Sequence, residues 1–450
     1  MATKINKEIA IGIDIGTSYI KGSARTIDGL IISTYRKRTS VDVTNELIFT
    51  TKWWDDAKEV ISGILSNCKD KQSNIIGICV SAIAPTLTVF DAENPNEAYS
   101  ILYSTLPKKK STYSQYDQSL TNERLAILRD IAIQKQFAKP CITDLVGYIN
   151  YRLTNKLTIN SISLCCLGTG ISVFDNKELC INDRVYPNIV SVVENIGVVT
   201  EHCLKELDIN SEIFVCGGCS DVFGSVLGSG IKNTEDRMIY LGTFGTLLKL
   251  EQEIEILLES KIIKTNPFNL KLSVPGFAKK IEEFSKEWCN NSLKILDKKA
   301  AEVSPGADGT IFLLPRWKNG MIPIGNYEFV SNNNSERIDL KSRAILESIG
   351  YAICLLEQIS TKYNIYVSGG GAQSQIWLDI ISIVLQNDVK TLQYSWESAG
   401  TADIAGRMYW GNTENLRTFY TSKTEFDKYK EGINSNCHKI KEYYYDKNWL

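Results

Sequence analysis

Asp14 lies near the end of an apolar run in the stretch IAIGIDIGTS, and small hydroxyl residues follow it. A carboxylate at a buried strand end needs a partner, because an isolated buried charge is costly. Backbone N–H groups, Lys21 or a cation could supply that partner. Gly16, Thr17 and Ser18 offer backbone N–H groups without bulky side chains, which is the chemistry of a phosphate-holding turn. The residues are therefore consistent either with a nucleotide site that holds Mg²⁺ or with an aspartate that caps an ordinary turn.

Two other glycine-rich turns could contact the same ligand. Residues 242–246, with the sequence GTFGT, repeat the opening pattern about halfway along the chain and could hold phosphates. The turn at 369–371, with the sequence GGG, follows a strand candidate and could admit a ribose or an adenine close to the backbone. A tight hairpin would explain the GTFGT stretch at 242–246 equally well, and glycine triplets such as that at 369–371 also occur in plain turns.

Asp221 is a candidate general base. It follows an apolar strand candidate and two glycines, and a helical pattern of small residues comes after it. A carboxylate at a helix N-terminus can accept a hydroxyl proton during phosphoryl transfer, or it can simply cap the helix. The local pattern leaves both roles open.

The bulk composition excludes several other functions. The chain has 450 residues, which predicts two to three domains, and its formal net charge of −2 gives no electrostatic case for binding nucleic acid or an anionic membrane. No apolar segment is long enough to predict a membrane span. The 12 cysteines, without a secretory signal, predict reduced thiols in a cytoplasmic protein. Cys216 and Cys219 form a lone CxxC pair, which is too few ligands for a closed zinc site.

The elements that must position these residues read as an α/β fold. Strands are predicted at 9–15, 20–26 and 30–36, with a hairpin turn at Asp28-Gly29. A helix is predicted over 55–70, and a strand covered on both faces over 75–80. A meander, a helix and a buried strand together indicate a mixed sheet with helices packed on it.

The second half repeats this organisation. The apolar run at 238–241 leads into the GTFGT turn and a second apolar run, so each half contains a strand, a Gly-Thr turn and a strand. A long amphipathic helix is predicted over 342–360, a strand over 363–368 and a helix over 376–385. The polar stretch 231–237 predicts the domain boundary, and the absence of a low-complexity linker predicts close-packed, hinged domains.

The order of these motifs resembles the FGGY carbohydrate kinases, within the superfamily that includes actin and the heat-shock chaperone ATPases. Residues 13–18 with Lys21 are similar to the family's first phosphate motif, and residues 241–245 to its second. Residues 217–221 are similar to the segment that carries the catalytic aspartate, and residues 367–374 to the adenosine motif. Weaker similarities at 144–156, 305–315 and 397–400 extend the resemblance over almost the whole chain.

The resemblance implies an α/β fold of two actin-like (ribonuclease H-like) domains. Each domain would be a mixed β-sheet flanked by helices, with residues 1–232 in the first and 233–450 in the second. It also implies that the active site lies in the interdomain cleft, where ATP, Mg²⁺ and a small carbohydrate bind. No nucleic acid or membrane partner is expected, and the chain could form a homodimer.

The resemblance also implies a role for each motif residue. Asp14 would hold Mg²⁺, and Asp221 would be the base that takes a proton from the attacking hydroxyl. Ser81 and Thr105 fall on the segments expected to reach the substrate, as does Asp221. The remaining motif residues would contact ATP: Gly16, Thr17, Ser18, Lys21, Gly242, Thr243, Gly370, Gly371, Ala372 and Gln375.

The chain departs from the family where the sugar would bind. The family's Trp-x-Asp-x-Arg segment is replaced at 101–107 by ILYSTLP, so that Thr105 stands where the Asp is expected. The loop at 82–86 reads AIAPT, and the loop at 318–323 lacks the family's Arg. Because polyols are selected by dense hydrogen bonding, the usual substrates should bind poorly. The alternatives are an ATP-dependent kinase with an atypical acceptor and a catalytically impaired nucleotide-binding regulator on the same fold.

Overall fold

The computed structural model describes the following parts of the chain, to which every structural statement below refers: residues 8–69, 74–102, 118–167, 187–209, 211–242, 244–318, 322–324, 326–331, 336–357, 364–392, 397–411, 419–421 and 430–446. The chain forms two compact units. The first contains residues 1–228, 252–267 and 396–417, and the second contains residues 229–251, 268–395 and 418–450. The sequence-based division at 232/233 assigns 252–267 and 396–417 to the second domain, whereas these segments pack with the first unit.

The main sheet of the first unit is built around the strand that carries Asp14. Across the sheet, its strands follow the order Asn195–Val198, Phe214–Cys216, Asn74–Ala82, Glu8–Ile15, Tyr19–Thr26 and Ile31–Arg38, with Cys219–Ser220 also paired to Asn74–Ala82. The three N-terminal strands form an antiparallel meander, and Asn74–Ala82 runs parallel to Glu8–Ile15. The predicted strands at 9–15, 20–26, 30–36 and 75–80 are therefore confirmed.

Smaller sheets and helices complete the first unit. A four-stranded sheet contains Ile48–Phe49, Ala98–Leu102, Thr86–Asp91 and Pro140–Asp144, and Thr158–Asn160 pairs with Asn188–Val190. The helices of this unit are Thr51–Lys69, Gln118–Gln134, Leu145–Thr154, Ser161–Cys166, Glu201–Glu206, Asp221–Ser229, Ile254–Glu259 and Glu397–Trp410. The helix predicted at 55–70 begins earlier, at Thr51, because Trp53 and Trp54 extend its buried face.

The second unit has a main sheet of its own. Its strands follow the order Phe268–Pro275, Phe244–Leu250, Arg237–Leu241, Ile365–Ser368, Val389–Leu392 and Phe419–Thr421. Short strand pairs join Ile311–Leu313 to Glu328–Val330 and Arg316–Lys318 to Ile322–Ile324. The helices are Phe277–Trp288, Leu293–Ala301, Ile338–Leu356, Gln375–Leu385 and Lys430–Asp446, with 3₁₀ turns at Ala307–Gly309 and Gly370–Gln373. The helix predicted over 342–360 starts earlier, at Ile338, since Leu340 extends its buried face.

The two main sheets have the same topology. In each sheet, three consecutive strands form an antiparallel meander. On the other side of the first meander strand lie two strands parallel to it, and the outermost strand beyond them is antiparallel. The GTS turn at 16–18 follows Glu8–Ile15 in one sheet, and Gly242 follows the corresponding strand, Arg237–Leu241, in the other. The repeat in the sequence therefore corresponds to a repeat in strand order.

Close backbone packing fixes the helix Glu397–Trp410 inside the first unit. A Cβ atom placed on Gly12 would lie 2.1 Å from the Ser398 carbonyl oxygen, so the helix lies directly on the Asp14 strand. A Cβ atom on Gly400 would lie 2.0 Å from the Gly224 carbonyl oxygen, so the same helix also contacts the helix Asp221–Ser229. No real Cβ atom tolerates such distances, and these positions therefore require glycine.

Within the described part of the chain, no helix combines the length and the apolar character that crossing a membrane requires.

Gly400→Ala should destabilise the first unit. The added methyl group would overlap the Gly224 backbone, and overpacking of a well-packed contact typically costs about 1–3 kcal/mol. Urea unfolding should show the loss. Gly432→Ala is the matched control, because Gly432 is exposed on the helix Lys430–Asp446 and alanine there should be neutral or mildly stabilising. Equal stability of the Gly400 variant and the wild type would contradict this packing.

Candidate active site

Asp14 is held by residues on both neighbouring strands. It is opposite Lys21 on the antiparallel side of its strand and opposite Ser81 on the parallel side. The Ser81 hydroxyl donates to Asp14 Oδ1 at 2.9 Å, and Lys21 Nζ lies 3.7 Å from Asp14 Oδ2. Only 2% of the Asp14 surface is exposed. The strand register thus places a buried carboxylate between a hydroxyl and an ammonium group.

Lys21 forms its closest ion pair with a residue far away in the sequence. Its Nζ donates to Glu397 Oε2 at 2.7 Å, a shorter distance than the one to Asp14. Burial alone would lower the pKa of Lys21, but Glu397 and Asp14 outweigh it and raise the pKa above its ordinary value. The lysine therefore remains a cation at the centre of the site.

Asp221 is the first residue of its helix and does not cap it. The Ser220 hydroxyl accepts from the Phe223 N–H at 3.3 Å and so provides the cap, whereas Asp221 Oδ1 accepts from the adjacent Val222 N–H at 2.9 Å. The residue is half-buried. Desolvation of its carboxyl group, together with the charge of Glu397, raises the pKa of Asp221 to about 7. A carboxylate with that pKa is poised to accept a proton near neutral pH.

The electrostatics of Asp14 are those of a site that favours a cation. Burial, followed by the charges of Glu397 and Asp221, raises the pKa of Asp14 to about 8, although Lys21 and Ser81 oppose the shift. Carboxylate and hydroxyl oxygens are also the hard donors that Mg²⁺ prefers. Within the described residues, no three His, Cys, Asp or Glu side chains form a complete metal site. The Asp14 carboxylate therefore fits a magnesium ion as one of its ligands.

The first predicted phosphate turn connects two strands beside Asp14. The Gly16 N–H donates to the Tyr19 carbonyl oxygen at 3.2 Å, and the Ser18 carbonyl oxygen accepts from the Thr39 N–H at 3.0 Å. Thr17 is half-buried and Ser18 is exposed. The turn is thus anchored by its backbone, while its two hydroxyl residues lie at the surface.

In the second unit, the segments predicted to hold phosphates and to flank an adenosine lie side by side. Ser368, which precedes the glycine triplet, pairs with Tyr240, which precedes Leu241-Gly242. Gly369 has φ of +91°, and a Cβ atom there would lie 2.7 Å from the Leu241 carbonyl oxygen. A Cβ atom on Gly371 would lie 2.4 Å from the Trp377 ring. Glycines 369 and 371 are thus required by packing.

Gly370 differs from the two glycines around it. A Cβ atom on Gly370 would meet no atom within 4 Å, so the backbone here faces open space that a ligand could fill. Ala372 is buried, whereas Gln375 is exposed at the start of its helix and its amide donates to Asp379 Oδ1 at 3.2 Å.

The residues predicted to reach the substrate lie in different surroundings or outside the described part of the chain. Ser81 is fully buried, and its hydroxyl contacts Asp14 and Thr401 rather than open space. The Ala84 N–H contributes to stabilising the Asp221 carboxylate, so the altered loop at 82–86 lies beside the candidate base. Thr105 lies outside the described residues, as does Thr243 of the second phosphate turn.

Sequence reasoning assigned no role to Glu397. The stretch 397–400 contributed only to the resemblance, since a glutamate before a helix of small residues carries no local signal of burial. In the structure Glu397 is 5% exposed and forms the closest ion pair of Lys21. Thr401 was also missed, and its hydroxyl lies 2.9 Å from Ser81 Oγ and 2.7 Å from the Glu397 carbonyl oxygen.

Comparisons with solved structures define the class of fold. The xylulose kinase from Rhodospirillum rubrum superposes with a TM-score of 0.73 at 20% identity, covering 97% of this chain and 98% of that chain. The glycerol kinase of Plasmodium falciparum, solved with ADP, gives a TM-score of 0.73 at 14% identity over 97% of this chain and 98% of that chain. The chain therefore has the fold of these kinases, and the predicted α/β fold class is confirmed.

The sequence of the chain is also similar to those of sugar kinases. The xylulose kinase of Staphylococcus epidermidis is 23% identical over 481 residues, which cover 98% of this chain and 95% of that protein. No family model matches the chain. The similarity confirms the predicted resemblance to the FGGY carbohydrate kinases, which are phosphotransferases with an alcohol group as acceptor.

Asp221→Asn should change how the stability of the ligand-free protein depends on pH. The pKa of Asp221 in the folded protein, about 7, lies above its ordinary value of 3.8, so the folded state binds this proton more tightly than the unfolded state does. The protonated Asp221 carboxyl group therefore contributes stability below about pH 4, and this contribution is lost as the pH rises to about 7. Relative to the wild type, the asparagine variant should gain stability across that window and show no further change at higher pH.

Thermal unfolding in EDTA without nucleotide would measure this difference. Asp91→Asn is a suitable control, since Asp91 is another buried carboxylate of the first unit whose oxygens accept the Ala138 and Lys139 N–H groups. A pH-independent difference between the Asp221 variant and the wild type would show that the Asp221 carboxyl has no raised pKa.

Proposed function

We propose that this protein is an ATP-dependent carbohydrate kinase that transfers the γ-phosphoryl group of ATP to a hydroxyl of a sugar, sugar acid or polyol. The observation that carries the proposal is the convergence of Asp14, Lys21 and Asp221 within the first unit. Lys21 is 3.7 Å from Asp14, and both interact electrostatically with Asp221. Phosphoryl transfer needs positioning and charge neutralisation more than covalent help, and this group of residues supplies both.

Asp221 acts as the general base in this proposal. Its carboxylate accepts the proton of the acceptor hydroxyl while that oxygen forms a bond to the γ-phosphorus and the bond to the ADP oxygen breaks. A pKa of about 7 lets the group be ionised before transfer and still hold the proton afterwards. Because Ser220 caps the helix, the Asp221 carboxylate is not committed to a capping bond.

Lys21 and Asp14 act on the phosphates. The Lys21 ammonium would offer a positive charge to the terminal phosphate, and Thr17 and Ser18, on the turn between the Asp14 strand and the Lys21 strand, would contact the same phosphates. Asp14 would hold Mg²⁺, which when bound neutralises charge on the phosphate oxygens. Ser81 orients Asp14 through its 2.9 Å hydrogen bond, so its proposed role is indirect.

The second unit would bind the remainder of the nucleotide. Gly242 and Thr243 are proposed to contact phosphates, and Gly370, Gly371, Ala372 and Gln375 to flank the adenosine. The open space at Gly370 supports this role, because a ligand could approach the backbone there without meeting a side chain.

The xylulose kinase relatives make a pentulose the first acceptor to test. The loop at 82–86 argues for a broader panel, because its Ala84 N–H contacts the Asp221 carboxylate and its sequence, AIAPT, offers few side-chain hydrogen bonds. Dense hydrogen bonding normally selects among polyols. An acceptor that is modified or less polar than xylulose would fit this loop.

ADP release on a panel of ketoses, polyols and sugar acids tests the function. We expect one acceptor class to stimulate ADP release, and we expect Asp221→Asn to reduce kcat by roughly 10²–10⁴-fold, since that is the usual contribution of a general base. Calorimetric titration should show that the variant still binds ATP. Asp91→Asn is again the control, and it should retain turnover.

Two results would refute different parts of this proposal. If no acceptor stimulates ADP release, the kinase assignment fails. If an acceptor stimulates release but the asparagine variant turns over as fast as the wild type, Asp221 is not the catalytic base. A chain that binds ATP without acceptor-dependent turnover would instead be a nucleotide-binding regulator.

The pH dependence of turnover gives a further prediction. With ATP and Mg²⁺ saturating, kcat/KM for the acceptor should rise about tenfold per pH unit below pH 7 and level off above it, because only the ionised Asp221 carboxylate accepts the proton. Steady-state rates between pH 5 and 8.5 would measure this profile. A profile that is flat through pH 7 would exclude Asp221 as the titrating base.

A further inference from the structure

The first turn of the Glu397 helix is fixed by the elements that carry the proposed catalytic groups. Ser398 Oγ lies 2.7 Å from Ser23 Oγ on the Lys21 strand. Thr401 Oγ1 lies 2.9 Å from the oxygen of Ser81, the residue that holds Asp14. The Gly400 backbone lies directly on the helix that begins with Asp221. The Glu397 carboxylate is therefore placed by rigid neighbours on several sides.

Glu397 holds Lys21 more closely than Asp14 does. Its carboxylate is 2.7 Å from Lys21 Nζ, compared with 3.7 Å for Asp14. The Lys21 side chain is 30% exposed, whereas that of Glu397 is only 7% exposed. The pair thus consists of a nearly buried, fixed anion and a cation that still reaches open space.

Stability alone is a weak explanation for this buried charge. Desolvating a carboxylate costs several kcal/mol, and a buried ion pair often contributes no more than a well-packed apolar pair would. The helix N-terminus offsets part of the desolvation of Glu397. What an apolar residue could not provide is control over where the Lys21 ammonium lies.

Without Glu397, the Lys21 ammonium would be attracted mainly by the remaining carboxylates. The charges that act on Lys21 are those of Glu397, Asp14 and Asp221. A lysine side chain is a flexible stem with a point charge, so loss of the closest anion would let the ammonium move toward Asp14. That movement would place the cation on the carboxylate that is proposed to hold Mg²⁺.

We propose that Glu397 is a positioning residue for phosphoryl transfer, which holds the Lys21 ammonium away from direct contact with Asp14 and directed toward the transferring phosphoryl group. This inference rests on the proposed kinase function. Glu397 itself touches neither substrate nor the reacting atoms, because it acts through Lys21. A fixed charge stabilises a transition state more than a mobile one, since no reorganisation is needed at the moment of transfer.

A double-mutant cycle with Glu397→Gln and Lys21→Met tests the inference. Glutamine keeps the shape of the side chain and removes its charge. A misplacement of about 1 Å in an active site costs on the order of 10²-fold in rate, so we expect kcat to fall by about that factor. ATP affinity, measured by calorimetry, should change much less than kcat. In the Lys21→Met background, Glu397→Gln should have little further effect, because the group it positions is absent.

Two further variants separate positioning from structure. Glu397→Asp restores the charge on a shorter side chain and should recover part of kcat. Glu357→Gln removes a carboxylate that pairs with Arg237 in the second unit at 2.5 Å, and it should leave kcat unchanged. A structural role for Glu397 would instead lower the melting temperature and ATP affinity together, without recovery in the aspartate variant.

Failure of this inference differs from failure of the kinase assignment. If the wild type turns over but Glu397→Gln leaves kcat unchanged, or if the losses from the Glu397 and Lys21 variants multiply, Glu397 does not act through Lys21. If the wild type turns over no acceptor, the kinase assignment fails, and the cycle is measured in the ATP dissociation constant. If Glu397→Gln changes the ATP dissociation constant only when Lys21 is present, the pairing is supported. If it changes that constant equally in the wild-type and Lys21→Met backgrounds, the pairing is overturned.

Discussion

Contact between backbones at glycines is the constraint on which the site depends. The helix Glu397–Trp410 lies against Gly12 on one side and against Gly224 on the other, where added Cβ atoms would stand 2.1 Å from the Ser398 oxygen and 3.1 Å from the Glu397 oxygen. Larger residues would push the helix away and take Glu397 from Lys21. The local sequence places Asp14, Lys21 and Asp221 on their strands and helix, but the glycines determine how closely the elements approach.

This close approach has an electrostatic consequence. Three carboxylates and one ammonium group act on one another in a poorly solvated region, and burial with like-charge repulsion raises the pKa of Asp14 to about 8 and that of Asp221 to about 7. Charge of this kind is unfavourable for the ligand-free protein and is relieved when a cation binds or a proton is accepted. Carboxyl groups with strongly shifted pKa values cluster at functional sites.

The sequence predicted those parts of the fold and site that have local signals. Alternating and continuous apolar runs located several strands of both main sheets, and Asp14, Lys21 and Asp221 stand out because polar residues end apolar elements. Glu397 had no such signal, since its partner Lys21 is 376 positions away and its burial depends on Gly400 and Gly12. For the same reason, the sequence did not predict that 252–267 and 396–417 pack with the first unit. Side-chain hydroxyls were ambiguous too, since the sequence did not predict that Ser81 would donate a hydrogen bond to Asp14.

Tracing the γ-phosphoryl group tests the central claim most directly, namely that the first unit carries a phosphoryl-transfer site. The chain would be incubated with Mg²⁺, ATP labelled with ¹⁸O in the γ-phosphate, and each acceptor of the panel, and the products would be analysed by mass spectrometry. The account predicts a phosphorylated carbohydrate that carries the label, formed in proportion to ADP. Label found only in inorganic phosphate, whichever acceptor is present, would contradict it.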